Sequence, residues 1–201
     1  MEIFTLFFLV AVGAFMLKSA EQKKRIALLG SYLRKHQIEK SMETLTAGYA
    51  RALNEADAPR QLQILNLLHT TELALSDQFN RFAADFSRVN EEDARVSKLP
   101  LAIPFASRLF PGATFDMRKA LSIHAIAIAR AVNSKSDQPP KGRAFDLSAE
   151  LFLMQHTCHW FCRSKTVASA RMLAGHQTTH AQLVAAVVPD TRQAYCALTG
   201  P

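Results

Sequence analysis

Glycine is scarce in this chain, seven residues in 201, and none of the seven belongs to a run that could cradle a phosphate or form a nucleophile elbow. Cysteine is scarcer still. Cys158, Cys162 and Cys196 are an odd number in a chain too long to need covalent staples, which argues against a secreted disulfide framework and for reduced thiols in a cytosol-facing domain. No segment alternates apolar with polar residues between turn signals, and no block of the chain repeats. What is plentiful is helical periodicity. The expected class is all-α, an N-terminal transmembrane helix followed by a helical bundle.

Acid is short at one place only. The formal charge is +7, and the stretch Lys18 to Lys40 holds seven basic residues against two acidic ones, whereas everything from residue 41 onward carries an excess of only +3. A basic excess of this kind invites nucleic acid or an anionic membrane as partner. Its position decides for the membrane, because it directly follows "IFTLFFLVAVGAFML", Ile3 to Leu17, a run with no charge. No groove-reading motif supports nucleic acid. Fifteen helical residues span about 22 Å, short of a hydrocarbon core of about 30 Å. A cleaved signal peptide opens on positive charge, yet Glu2 precedes this run and the lysines come after it. By the positive-inside rule the N-terminus lies outside and the rest in the cytoplasm, at an inner or plasma membrane. Lys18, Lys23, Lys24 and Arg25 are then placed to meet lipid headgroups.

Three parts follow: an anchor over 1–18, a basic amphipathic juxtamembrane helix over 19–58, and a cytoplasmic helical domain over 59–201. Within 19–58 the apolar phase skips between Leu33 and Ile38, too soon for a coiled coil. Asp57 and Pro59 are cap and first-turn proline of the next helix. That helix carries the clearest pattern in the chain: Leu65, Leu68, Leu75, Phe79, Phe82, Phe86 and Val89 recur in steps of three and four, a seam for packing against another helix or a partner. Glu72 interrupts the seam and is expected at a solvent-reaching edge. Asn90 caps a short acidic turn, and the proline-broken apolar loop "LPLAIPFASRLFPGA" either tucks against the core, the expected arrangement, or dips into the membrane surface that the anchor keeps near it. A helix is expected to restart at Thr114, with His124 as a core or edge residue, and residues 133–144 form a surface loop.

The densest chemistry lies in "CHWFCRSKTVASARMLAGHQTTH". Leu147, Leu151, Met154, Cys158, Phe161 and Cys162 share one helix face, and Phe152, Leu153, His156 and Trp160 the other, so this helix is apolar on two sides. His176 and His180 are spaced one turn apart, the interval at which one helix face offers two nitrogens to an ion. The pattern C-x3-C-x13-H-x3-H resembles two-Cys two-His zinc fingers over about 23 residues, with "LAGHQTTH" where such fingers keep their histidine helix. The resemblance implies a zinc set of Cys158, Cys162, His176 and His180. It departs from the family in placing the cysteines on continuous helix, with His156 where an aromatic belongs. Asp190 and Gln193 are spaced as a capping box for a terminal helix.

The expected function is a single-pass membrane-anchored interaction protein, a scaffold, adaptor or accessory subunit of a membrane complex, working with a protein partner or a second copy. No cofactor is required by that reading. The competing expectation is a small zinc- or heme-binding module built on the Cys/His cluster. No spacing of His124, His156 or Glu72 commends an enzyme.

Overall fold

The structure is a computed structural model and describes residues 2–133 and 139–200. Among them are ten α-helices and one pair of three-residue strands, an all-α body on an N-terminal helical stalk. Of the expected 133–144 loop, residues 134–138 lie outside that description; Asn133 ends one helix and from Pro140 onward the chain is helix again, so residues 140–144 are helix and not loop.

Helix α1, Glu2–Leu33, is unbroken, about 48 Å long at roughly 1.5 Å per residue. It is long and apolar enough to cross a membrane, and its most apolar window has a mean hydropathy of 2.1 with none of it buried. Phe4, Phe7, Phe8 and Phe15 all stand exposed. Further along, the same helix enters the body: Arg25 lies over the Phe161 ring and Leu29 is in the core. The chain turns at residues 34–37, where the apolar phase skips, and α2 follows as Ile38–Leu53. The juxtamembrane segment is therefore two helices, not one. Ile38, Leu45, Tyr49 and Ala52 of α2 join the main core, so this stretch is part of the body.

Helix α3, Ala58–Phe86, starts as expected, with Asp57 accepting from the Arg60 amide and Pro59 in the first turn. Its seam is spent inside the chain: Leu65, Leu75, Phe79, Phe82 and Phe86 are buried and Leu68 is half-buried, packed between α2 and α6, Met117–Asn133. Gly48 of α2 makes the approach possible, since a Cβ there would lie 2.6 Å from a Leu68 methyl. Glu72 is not at an edge. It is 1% exposed and accepts from the Tyr49 hydroxyl at 2.7 Å, with His69 at 3.1 Å and Arg143 at 3.3 Å. The seam position faces α2 and α7, and polar partners from both make a charge tolerable there.

After α4, Glu91–Ala94, capped by Asn90, come β1, Arg95–Ser97, the short α5, Ala106–Leu109, and β2, Thr114–Asp116. The strands pair antiparallel with Val96 opposite Phe115. Thr114 thus opens strand β2 instead of a helix, and α6 begins at Met117 with Asp116 accepting from the Arg118 amide. Helix α7, Pro140–Cys162, is the central element and is buried on both faces, as its sequence requires. One face joins the main core. The other meets α8, Lys165–His176, α9, His180–Ala186, and α10, Pro189–Thr199, around Leu153, Met172, Leu183 and Tyr195.

Candidate functional site

The expected histidine pair does not share a helix. Gln177 adopts a left-handed backbone with φ 52° and stops α8 at His176, and Thr179 then forms a capping box with Gln182 that starts α9 at His180. His176 stacks on Phe152 at 4.1 Å and meets Gln155 at 3.3 Å. His180 instead stacks on His156 at 4.3 Å, on the side facing Tyr195. Cys158 and Cys162 remain together on α7 and share a hollow with His176, which His180 does not line. Among the described residues no three Cys, His, Asp or Glu side chains form a metal-binding group. Burial pushes the Cys158 thiol far up and Cys162 up to about 11, which keeps both protonated at neutral pH.

That hollow is the larger half of a long apolar groove between α2 and α7. One part, about 750 Å³, runs from Ile26, Gly30 and Leu33 of α1 along Met42 and Ala47 of α2 to Cys158 and Cys162. The second, about 410 Å³, continues between Leu53 of α2 and Phe145 of α7 towards α9. Thr46, Ala50 and Phe152 line both parts, so the Phe152–His176 stack stands where they meet. Each part falls in the size range of ordinary ligand sites. Small side chains on α2 leave it open: Ala47 and Ala50 are exposed, and nothing lies within 4 Å of where Gly30 would carry a Cβ. Periodicity alone missed this surface. The signal was a second stripe on α2, Met42, Thr46, Ala50 and Leu53, about a quarter-turn round the helix from the more obvious one that enters the core.

Behind α7 lies an interior polar cluster. His124 meets the Thr157 hydroxyl at 3.0 Å, Thr157 donates to the Leu153 carbonyl and lies 3.3 Å from the Tyr195 hydroxyl, and His156 meets Ser169 at 3.1 Å. Burial holds His124 and His156 down to about 3 and His180 to about 4. Glu150 is fully buried near the start of α10, and neither oxygen makes a hydrogen bond of normal geometry. Burial raises it to about 7, offset in part by Thr191 and the Val188 amide. Neutral imidazoles and a half-ionised acid here are enclosed by packing. None of them lines the α2–α7 groove, and the cluster serves the core.

Of the four expected headgroup residues, Lys23 and Lys24 are exposed, Lys24 meeting Asp93 at 2.7 Å, and Lys18 is half-buried. Arg25 turns inward to Glu21 at 2.7 Å and the Phe161 ring. Comparison of the chain with protein-family models, with curated proteins and with solved structures finds no match.

Proposed function

We propose that this chain is a single-pass membrane-anchored helical interaction protein, a scaffold, adaptor or accessory subunit of a membrane complex. The carrying observation is α1. Its first half presents apolar side chains that the rest of the described chain leaves uncovered, and the same helix continues unbroken into the core. Exposed area of this kind, on a helix long enough to span, supports a lipid contact. The lysines behind it favour a cytoplasmic body at an inner or plasma membrane, with Lys18, Lys23 and Lys24 as the headgroup contacts. The α2–α7 groove supports a protein partner: an apolar helix seated there would run beside Gly30 of α1 and over Ala47 and Ala50, where small residues permit close approach. The zinc or heme alternative has less behind it, because His180 stands apart from the other three side chains.

Alkaline extraction of membranes should leave the full-length chain in the pellet, and a reporter at its C-terminus should be active only in the cytoplasm. Release into the supernatant, or activity outside, refutes the anchor. A photo-crosslinking residue at Ala47 should trap a protein in native membranes, with the adduct lost on Ala50→Arg. Lipid adducts alone would remove the groove from the interface.

A further inference from the structure

The segment between β1 and β2 does not tuck against the core as its apolar composition led one to expect. Leu101, Ile103, Phe105, Leu109 and Phe110 are 42–65% exposed, a dense apolar surface on so short a stretch. Yet the segment is firmly held. Ala106 and Ser107 are buried, and the Pro100 carbonyl accepts from the Thr166 hydroxyl at 2.7 Å. The Phe105 amide donates to Glu21 of α1 at 3.0 Å, and the other Glu21 oxygen is fixed by Arg25. Phe105 itself sits in the left-handed region, φ 55° and ψ 22°, which a phenylalanine adopts only when its surroundings impose it.

Its position on α1 is specific. Two hollows flank the helix at one level, the first lined by Lys18, Leu101 and Ile103, the second by Leu17, Ala20 and Phe105. The apolar residues therefore gather where the run Ile3–Leu17 gives way to charge. That run is about 8 Å too short for a hydrocarbon core. Apolar side chains beside residues 17–21 carry the lipid-compatible level about 6 Å further along the helix.

We propose that residues 99–110 form an interfacial collar, a second membrane contact that lies among the headgroups of the leaflet facing the body. The collar rests on the reading of α1 as an anchor. It buries its side chains about 5–10 Å deep at the boundary between headgroup and acyl chain. Its rim carries Lys18, Lys24 and Arg108, the last two beside Asp93 and Glu92, and favours an anionic leaflet.

The test uses the full-length protein in vesicles of phosphatidylcholine and phosphatidylglycerol whose acyl chains are brominated, with Trp160, 1% exposed in the core, as a constant background. Tryptophan is introduced singly as Leu101→Trp, Leu109→Trp, Phe8→Trp and, on an exposed face of α3, Leu67→Trp. The expected result is quenching by shallow bromines at Leu101→Trp and Leu109→Trp, several-fold above that at Leu67→Trp, and protection from aqueous acrylamide. Lipid quenching at Phe8→Trp alone refutes the collar and leaves the anchor standing. Quenching in the collar but not at Phe8→Trp supports the collar and refutes the anchor, and quenching at neither refutes both. Collar tryptophans shielded from acrylamide but not reached by bromine refute the lipid contact in favour of a protein cover.

Discussion

His124 and His156 are fully buried, and burial holds both near a pKa of 3, well below the ordinary 6.5. Below pH 6.5 the unfolded chain binds protons that the folded chain refuses, so stability is lost as pH falls from 6.5 towards 3, at about 1.4 kcal/mol per pH unit for each residue. Glu150 works the other way. Its folded pKa near 7 exceeds the ordinary 4.5, so its contribution grows as pH falls through that window, and above pH 7 its buried charge is a cost. Two histidines outweigh one acid, and the urea midpoint should drop steeply below pH 6. Glu150→Gln should stabilise the protein by about 1–2 kcal/mol at pH 8 and lose that advantage by pH 4.5. A parent profile that stays flat from pH 7 to 5 would contradict the buried neutral histidines. Arg143→Met takes the guanidinium from the buried Glu72 carboxylate, leaving it Tyr49 and His69, and should cost about 3 kcal/mol, while Glu72→Leu combined with Arg143→Met should recover much of it. Equal losses in the single and double variants would show that the pair is not coupled.

Among elements, α3 packs its phenylalanines between α2 and α6. Phe79→Ala should cost about 3–5 kcal/mol, whereas Leu67→Ala on its exposed side should stay within about 0.5 kcal/mol in the same denaturant titration. Gly48→Leu should cost about 1–3 kcal/mol by driving α2 off Leu68. A neutral result there would mean that the two helices separate freely. The seam on α3 was legible because apolar residues in steps of three and four call for a helix to pack on, though not for which one, and α7 was legible because apolar residues on two faces demand burial on both. The skipped phase between Leu33 and Ile38 marks the break at residues 34–37, although by itself it argued only against a coiled coil and left one helix expected over 19–58. The strands were not, since three residues are too few to display alternation. The α8–α9 break was missed as well, because it turns on Gln177 adopting a left-handed backbone, which its residue type does not announce. Capping at α10 went the same way: Val188 takes the cap position and no side chain caps it. Glu72 was misplaced since its partners Tyr49 and Arg143 come from helices whose register no local pattern reveals.

For the whole molecule the consequential asymmetry is charge along the chain. Lys18→Glu, Lys23→Glu and Lys24→Glu together turn the local excess of +5 into −1. A C-terminal reporter should then appear outside in a substantial fraction of molecules. Undisturbed cytoplasmic activity would show that something other than these lysines sets the topology. The groove was the least legible feature, since it depends on which apolar residues the finished packing leaves uncovered, whereas the apolar loop behind the collar already offered the membrane surface as an alternative to the core. The unbroken run of α1 from Ile3 to Leu33 has a mechanical corollary. With no hinge along this rod, a lean of about 20° carries Leu33 sideways by about 8 Å relative to Leu17. In the proposed anchored arrangement, a bilayer that thins or thickens would swing the body like a lamp on a stiff post, and the bearing around the foot of that post would decide how far it leans.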